Sequence, residues 1–497
     1  MIELKELLMG IAENTVNSEL PISGLALDSR CVTSGDLFFA LPGTQSDGCQ
    51  YIGDAVQHGA VAILVEKNHG APRQAVEEAT VPVIEIEALA HKVSAISARF
   101  YGSPSEDMVL IGITGTNGKT SCAYFISQAL EMLSEQSALI GTLGYGHWNK
   151  LQATQHTTPD AITVQKILSD LKSNGVRYVA MEVSSHGLHQ GRVNACDFDL
   201  AVFTNLTHDH LDYHADFEQY KRVKKQLFLR SELKSSIFNL DDPVGSEWCE
   251  EIEGNCLGVS RTKDNAEFYC TNALMTALGI KLEIHTPQGV CKINNQNLLG
   301  EFNVENLLST VAVLTQLGFS APHIETTVSK LKGVPGRLQR VLNELPDSQP
   351  TVFVDYAHTP NALENVLRSC RNLIPTQAKL ICLFGCGGER DKEKRPLMGG
   401  IAEQFADLVV ISADNSRSEN TLDIVEDIMG GMGDQARVTV IEDRREAIDY
   451  AISQANKEDI VLLAGKGAEL TQTLSHSEFS FSDYQCALDV LNKRGLH

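Results

Sequence analysis

A glycine-rich loop carries the residue types that bind a nucleotide phosphate. It runs from Gly115 to Ser121 (GTNGKTS) and follows the apolar stretch Met108–Ile113. Backbone N–H groups at a helix start bind phosphate oxygens, a lysine supplies positive charge, and a threonine hydroxyl can ligate Mg²⁺. Ile113 stands where the common pattern has a glycine, five residues before Gly118. The loop is therefore a variant phosphate-binding loop.

Three further polar clusters follow in the central part of the chain. Glu182 ends an apolar stretch, residues 204–214 contain three histidines, and Lys221, Lys224 and Lys225 lie on the next helical segment. The histidines are compatible with a transition-metal site or a loop role. Mg²⁺ is favoured here, because a phosphate loop is expected nearby and oxygen ligands suit that ion. The lysines are compatible with a solvated helix face or with a site.

Four polar clusters recur in the last third of the chain, each directly after an apolar stretch. They begin at Asp355, Gly385, Asp414 and Gly465. Ligands of open α/β sheets bind beyond the carboxyl ends of the strands. The repetition therefore predicts one shared site that faces the nucleotide loop, although each cluster alone is also compatible with a turn or a helix cap.

The elements that must position these residues alternate between strand and helix. This alternation is typical of parallel, doubly wound sheets. Short alternating segments over residues 267–295 instead predict antiparallel hairpins. The predicted strands are 36–41, 61–65, 83–86, 108–114, 137–141, 177–183, 200–204, 236–240, 351–355, 380–385, 408–412, 437–442 and 460–464.

The predicted fold class is α/β with three domains. The first is a small α/β domain over residues 1–88, and the second is a central parallel-sheet ATPase domain of P-loop type over 89–337. The third is a Rossmann-like domain over 338–497. The Gly102–Ser105 linker and the Val334–Arg337 segment mark plausible boundaries. The last domain lacks a G-x-G-x-x-G pattern after its first strand, so it is not predicted to bind a dinucleotide.

Charge and composition exclude several classes of function. The net charge of 41 − 64 = −23 argues against a nucleic-acid partner. Twelve scattered cysteines without a C-x-x-C pair suit free thiols in a reducing compartment. No signal-peptide pattern and no run of 18 apolar residues occur, so we expect a cytoplasmic enzyme without membrane insertion.

The motifs together resemble the Mur ligases, along essentially the whole chain. The matching stretches are Gly115–Thr120 (GTNGKT), Met181–Leu188 (MEVSSHGL), Asp209–His214 (DHLDYH), Gly300–Asn303 with Asn306, Asp355–Thr359 (DYAHT) and Gly385–Arg390 (GCGGER). Within that family the chain is most similar to the enzymes that add the third amino acid to UDP-N-acetylmuramoyl-L-alanyl-D-glutamate. The resemblance implies ATP-dependent amide formation through an acyl phosphate, in peptidoglycan precursor synthesis. The chain is expected to be a monomer.

The resemblance also implies roles for individual residues. Positions for the UDP-linked substrate are Leu27, Ser29, Thr44, Gln45, Ser46, Thr157, Thr158, Ser184, Gln190 and Arg192. Positions for ATP are Gly115, Thr116, Asn117, Gly118, Lys119, Thr120, Ser121, Asn303, Arg337 and Asp355. Implied Mg²⁺ ligands are Thr120, Glu182, His210 and a carbamylated Lys224, and implied catalytic residues are Lys119, Lys224, His210 and Glu182. Lys225 is rejected as the carbamylated residue on register alone.

The incoming amino acid is predicted to be meso-diaminopimelate. The implied pocket consists of Arg390, Asp414, Asn415, Ser416, Arg417, Gly465 and Glu469. Arg417 suits a distal carboxylate, which L-lysine lacks. Two positions depart from the family pattern: Ser416 stands where a proline is usual, and Ala468 where a histidine is common. The alternatives are the L-lysine-adding enzyme of the same family and, more remotely, a folylpolyglutamate-synthetase-like ligase.

Overall fold

The computed structural model describes residues 1–12, 19–43, 47–67, 79–207, 209, 213–276, 279–341, 349–433 and 437–494. Thr44, Gln45, Ser46 and His210 lie outside these residues. The chain divides into two compact units. The first comprises residues 1–114, 134–201 and 223–235, and the second comprises 115–133, 202–222 and 236–497.

The first unit begins with a small parallel sheet. Its strands lie in the order β3-β4-β5-β6, and α1 and α3 pack their leucine and valine side chains on one face. A separate antiparallel pair joins β1 and β2. The bounds are β1 Ile2–Glu3, α1 Leu4–Leu8, β2 Pro21–Ile22, β3 Gly24–Ala26, β4 Asp36–Ala40, α2 Ile52–His58, β5 Ala62–Glu66, β6 Val83–Ile86 and α3 Leu89–Phe100.

A second group of strands in the first unit leads toward the phosphate loop. Strand β11 pairs in parallel with both β7 and β8, whereas β9 and β10 continue beyond β8 as antiparallel edge strands. A Cβ at Gly112 would lie 2.9 Å from the Phe198 ring, so this glycine allows close packing inside β7. The bounds are β7 Val109–Thr114, β8 Ser137–Gly141, β9 Gly144–His147, β10 Lys150–Gln152, α5 Ala161–Ser173, β11 Tyr178–Glu182 and α6 Ser185–His189.

Three elements cross the division between the units, namely β12 Leu200–Phe203, α7 Phe217–Lys225 and β13 Ser235–Asn239. Within the second unit, β14 pairs in parallel with β13 and β15, and β15, β16 and β17 form antiparallel hairpins. The bounds are α4 Lys119–Met132, α8 Pro243–Glu251, β14 Cys256–Ser260, β15 Phe268–Thr276, β16 Gly279–Thr286, β17 Gly289–Asn295, α9 Phe302–Gln316 and α10 Ala321–Val328.

The C-terminal part of the second unit is built on a six-stranded sheet in the order β18-β19-β23-β20-β21-β22. All pairs are parallel except β18 with β19. A separate hairpin, β24–β25, follows it. The bounds are β18 Gln339–Arg340, β19 Thr351–Asp355, α11 Pro360–Leu373, β20 Leu380–Phe384, α12 Lys394–Phe405, β21 Leu408–Ile411, α13 Thr421–Met429, β22 Val438–Val440, α14 Arg444–Ser453, β23 Ile460–Ala464, β24 Thr471–Leu474, β25 Ser477–Ser480 and α15 Asp483–Arg494.

The predicted strands are all present, with ends that differ by at most two residues. The antiparallel edge β9–β10, the strand β14 and the hairpin β24–β25 were not predicted. All twelve cysteines are free thiols, as expected. Within the described ranges, no helix has both the length and the apolar character needed to cross a membrane.

Candidate active site

The phosphate loop connects β7 to α4 and is shaped by two glycines with positive φ. Gly115 has φ 146° and Gly118, at the N-cap of α4, has φ 89°. A Cβ at Gly118 would lie 2.8 Å from Asn306 Oδ1. Lys119 Nζ donates to the carbonyl oxygens of Gly115 and Thr116 at 2.8 Å each. The ammonium group is thus held over the loop, where a phosphate would be bound.

Residues 204–207 hold the loop from one side. Thr204 Oγ1 donates to the Asn117 carbonyl at 2.6 Å, and Asn205 Oδ1 accepts the Asn117 N–H at 2.9 Å. Thr116 Oγ1 lies 3.2 Å from the hydroxyl of the buried Tyr220. The residues after β12 therefore position the loop. This stretch was predicted to matter for its histidines, whereas Asn205 and Tyr220 were not predicted as site residues.

Arg337 approaches the first turn of α4. Its Nη2 lies 3.4 Å from Thr120 Oγ1, and its guanidinium lies 4.6 Å from the centre of the Tyr356 ring. Arg337 thus contacts Thr120 directly and lies over Tyr356, the residue that follows Asp355. Thr120, Arg337 and Asp355 had all been predicted to bind ATP or its metal. Stacking on an aromatic ring fixes the plane of a guanidinium and leaves its N–H edge for an anion.

Both carboxylate oxygens of Asp355 accept hydrogen bonds from the backbone. Its Oδ2 accepts the Leu338 N–H at 2.6 Å, and its Oδ1 accepts the Ala357 N–H at 2.7 Å. Burial raises the pKa of Asp355, and the charge of Arg337 and the two N–H groups oppose that rise. Asp355 therefore fixes the turn that carries Arg337. Asn303, also predicted for ATP, accepts from Asn306 Nδ2 at 3.1 Å, and Asn306 lines the loop at Gly118.

His358 was quoted only as part of a motif, and the structure gives it a distinct environment. It is partly buried, and its Nδ1 lies 2.8 Å from the Tyr356 carbonyl oxygen. Burial lowers the pKa of His358 to about 4, with Lys394 lowering it further and Asp209 opposing. The imidazole is therefore neutral near pH 7.

A second cluster lies in the first unit and contains all five central residues predicted for the UDP-linked substrate. Thr158 Oγ1 accepts the Ser184 N–H at 2.9 Å, and Ser184 Oγ accepts the Gly187 N–H at 3.1 Å as the N-cap of α6. Gln190 Oε1 accepts from Arg192 Nε at 2.9 Å and Nη2 at 2.6 Å, and Arg192 Nη1 also donates to the Thr158 carbonyl. Thr157 lies 3.0 Å from Thr142, as measured between the hydroxyl oxygens. The guanidinium is thus fixed beside two threonines.

Glu182, at the end of β11, belongs to this cluster as well. It is fully buried, and its carboxylate accepts from the Thr142 N–H at 2.8 Å and the Thr142 hydroxyl at 3.2 Å. Lys224 is 1% exposed. Carboxylate and hydroxyl oxygens are hard donors, so Glu182 and the buried Thr120 fit Mg²⁺ in chemical type. In the part of the chain that the structure describes, no group of three or more His, Cys, Asp or Glu side chains is placed to hold a metal ion.

The two N-terminal residues predicted for the uridine end lie beside a short 3₁₀ turn. Ser29 begins that turn and is buried, with its carbonyl oxygen 2.9 Å from His58 Nδ1. Asp28 caps the turn by accepting the Arg30 N–H at 2.9 Å, and Leu27 packs partly into the core of the small sheet. The Asp28 cap and the packing of Leu27 therefore hold the turn in place.

The four C-terminal clusters meet, as predicted, at the carboxyl ends of neighbouring strands. The Gly465 N–H donates to the Asp355 carbonyl at 3.0 Å, and a Cβ at Gly465 would lie 2.6 Å from Asp414 Oδ2. Arg417 Nη1 donates to the Gly388 carbonyl at 2.7 Å. Burial lowers the pKa of Arg417, and the nearby charge of Arg390 lowers it further. Two guanidinium groups close together favour an anion between them.

Lys466 is a site residue that sequence reasoning missed. Its fully buried ammonium donates to Glu469 Oε2 at 2.9 Å and to Asn415 Oδ1 at 3.1 Å. Asn415 Nδ2 donates to the same Glu469 oxygen at 2.9 Å. The Glu469 side chain stays 34% exposed and is therefore accessible to a ligand. The signal available was the position of Lys466 between two glycines in Gly465–Glu469.

Comparisons with known proteins agree along the chain. Three family models match, described as "Mur ligase family, catalytic domain" over residues 21–101, "Mur ligase middle domain" over 113–314 and "Mur ligase, glutamate ligase domain" over 336–467. A UDP-N-acetylmuramoyl-L-alanyl-D-glutamate–2,6-diaminopimelate ligase from Ectopseudomonas mendocina is 46% identical over 463 residues, 93% of each chain.

Two solved structures extend that similarity to the fold. A ligase of the same description is 32% identical, with a TM-score of 0.70 over 100% of this chain and 99% of the other. A MurF ligase from Thermotoga maritima in complex with ADP is 17% identical, with a TM-score of 0.66 over 96% and 99%. The predicted fold class is confirmed.

Proposed function

Since this chain belongs to the Mur ligase family, we propose that it joins meso-diaminopimelate to the D-glutamate γ-carboxylate of UDP-N-acetylmuramoyl-L-alanyl-D-glutamate, with ATP as co-substrate. The observation that carries the choice of amino acid is the C-terminal cluster. It pairs two guanidinium groups, Arg390 and Arg417, with an oriented carboxylate, Glu469. L-Lysine has no distal carboxylate to pair with these arginines.

The reaction proceeds in two steps. The γ-carboxylate oxygen attacks the γ-phosphorus of ATP, the bond to the bridging oxygen breaks, and ADP leaves. The amine of diaminopimelate then attacks the acyl carbon and expels inorganic phosphate, and the amine loses its proton. Phosphorylation is needed because a carboxylate is a poor acylating group. Lys119 and the loop N–H groups stabilise the charge that develops during transfer.

The remaining assigned residues bind and orient the substrates. We assign Leu27, Ser29 and the Thr44–Ser46 turn to the uridine end, and the Thr157–Arg192 cluster to the muramoyl dipeptide. Asn303, Arg337 and Asp355 are assigned to the nucleoside side of ATP. The support for the dipeptide assignment is the fixed guanidinium of Arg192, which suits a carboxylate.

Mg²⁺ is proposed as the cofactor, held by Thr120, Glu182, His210 and a carbamylated Lys224. It would supply charge that offsets the repulsion between the carboxylate and the polyphosphate. Its support is chemical type alone: Thr120 and Glu182 are each buried and carry oxygen donors.

We further propose a cytoplasmic monomer with three functional segments, residues 1–88, 89–337 and 338–497. The free thiols suit a reducing compartment, and the net charge of −23 suits neither a nucleic acid nor an acidic membrane as partner.

A ligase assay with each amino acid tests the proposal. ADP release is measured with ATP, the UDP-muramoyl dipeptide, and either meso-diaminopimelate or L-lysine. We expect kcat/KM for diaminopimelate to exceed that for lysine at least about 100-fold, because lysine offers no carboxylate to the guanidinium groups of Arg390 and Arg417. Faster turnover with lysine would assign the alternative activity. A chain that turns over a folate with glutamate, and does not turn over the UDP-muramoyl peptide, would instead have the folylpolyglutamate-synthetase-like activity.

A further inference from the structure

We propose that the hairpin β24–β25, residues Thr471–Ser480, is a specificity element that positions Arg417 for the distal carboxylate of diaminopimelate. This inference rests on the proposed function and adds a role for a segment that neither motif nor family model covers, since the last family match ends at residue 467. The hairpin begins two residues after Glu469.

Strand β24 of the hairpin makes hydrogen bonds to successive residues of the pocket loop that follows β21. Gln472 Nε2 lies 3.2 Å from the Ala413 carbonyl oxygen and 3.1 Å from that of Asp414. The Thr473 N–H donates to Asn415 Oδ1 at 2.9 Å. Three successive loop residues are thus bound by one strand before Arg417 is reached.

Arg417 is then held by hydrogen bonds on both sides of its backbone. Its N–H donates to the Thr473 carbonyl at 3.2 Å, and its carbonyl accepts the His476 N–H at 3.3 Å. Arg417 has φ 53°, a left-handed conformation that costs free energy for a residue with a Cβ. The hairpin therefore stabilises the backbone conformation from which the guanidinium reaches Gly388 and Arg390.

Ser416 stands where the family resemblance implies a proline. Proline fixes φ at its own position, and Ser416 does not. Ser416 is buried, and its carbonyl oxygen would lie 2.0 Å from a Cβ at Gly388. Packing on Gly388 and the hairpin bonds together restrain the loop that a proline would otherwise stiffen.

The hairpin has little other use in the fold. All residues from Ser475 to Ser480 are exposed, and Phe479 is 54% exposed. Gln472 is its one buried residue, and its amide is directed at the loop. A segment that packs so little apolar surface contributes mainly through the loop that it holds.

Paired substitutions in the turn change hairpin stability without altering any side chain of the pocket. Ser475 and His476 have φ 47° and 64°, the signs that a two-residue type I′ turn requires. The double variant Ser475→Asn with His476→Gly suits these angles, and Ser475→Val with His476→Val opposes them. Both double variants keep the backbone N–H of residue 476, which bonds to the Arg417 carbonyl.

Gln472→Met removes the two hydrogen bonds of the Gln472 amide to the loop directly. Gln288→Val, in the exposed turn of the β16–β17 hairpin, is the matched control.

The measurements are KM for diaminopimelate, KM for ATP, and the ratio of kcat/KM for diaminopimelate and lysine. We expect the valine pair and Gln472→Met to raise KM for diaminopimelate about tenfold and to lower the ratio, as a lost hydrogen bond would, with KM for ATP nearly unchanged. The Asn-Gly pair and the Gln288→Val control should resemble wild type.

Two outcomes would overturn the inference while the proposed function stands. One is an unchanged ratio in both the valine pair and Gln472→Met. The other is an equal rise in the KM values for diaminopimelate and ATP, which would indicate general loss of structure. A wild-type chain that ligates neither amino acid would instead overturn the proposed function and this inference with it.

Discussion

Lys224 and Lys225 are neighbours in α7, yet their side chains have different surroundings. Lys224 is 1% exposed, whereas Lys225 is only half-buried. The family resemblance implies a carbamate on the buried Lys224 and none on the more exposed Lys225.

Substitution separates the two lysines. Lys224→Ala should abolish ligation, a loss of at least about 1,000-fold, because a charge that acts on the transferring phosphate is removed. Lys225→Ala should retain most of the activity and serves as the matched control. Formation of the tripeptide product is measured for both, with thermal unfolding to compare their folding. The reverse pattern would transfer the role to Lys225.

Gly336 lies in the connection between α10, which ends at Val328, and β18. It has φ 68°, and a Cβ there would lie 2.1 Å from the Ala468 nitrogen and 2.5 Å from the Gly467 carbonyl carbon. The next residues carry Arg337 and the N–H that binds Asp355. This glycine thus brings the connection against the loop that holds Lys466 and Glu469.

Gly336→Ala should therefore destabilise the protein by about 2 kcal/mol or more, because the new methyl group meets backbone and the conformation is left-handed. Gly333→Ala is the control, since its Cβ would meet only the Asn297 carbonyl oxygen, at 3.4 Å, without positive φ. Urea unfolding of the two variants gives the comparison. Equal stability of both would show that the connection can move away from Ala468.

The elements differ in how far sequence could predict them. Buried parallel strands such as β7 and β23 are continuous apolar runs, and their ends carry the polar clusters, so both strands and site residues could be located. The hairpin β24–β25 has mostly polar residues and exposed faces, and therefore lacks a periodic signal. Its stability comes from bonds to residues 413–417, which only the fold brings near.

Contacts between residues that are far apart in the sequence could not be predicted from it either. Arg444 and Asp483 are both fully buried and bonded at 2.7 Å, and Arg444 also donates to the Ala464 carbonyl behind the pocket. Neither residue stands in a motif. The partner of Glu182, Thr142, was missed for the same reason, because it follows another strand. Chemistry-bearing types at strand ends are visible in sequence, whereas their supporting contacts depend on tertiary packing.

At the scale of the whole molecule, the response of stability to pH combines groups with opposite shifts. Burial lowers the pKa of His358 from 6.5 to about 4, and burial raises the pKa of Glu305 from 4.5 to about 7. Between pH 4 and 6.5 the unfolded chain binds more protons at His358 than the folded chain does, so the His358 contribution to stability rises with pH. Between pH 4.5 and 7 the folded chain binds more protons at Glu305, so the Glu305 contribution falls with pH. Each shift corresponds to about 3 kcal/mol.

Because the two contributions oppose each other between pH 4.5 and 6.5, the wild-type free energy of unfolding should change little on their account. Glu305→Gln should expose the His358 contribution, so that stability rises with pH in this window. His358→Gln should expose the Glu305 contribution, so that stability falls. Urea titrations at pH 4.5, 5.5 and 6.5 measure the slopes, and the double variant is the control, with a slope near that of wild type. Slopes of the same sign in both single variants would show that these two groups do not govern the profile.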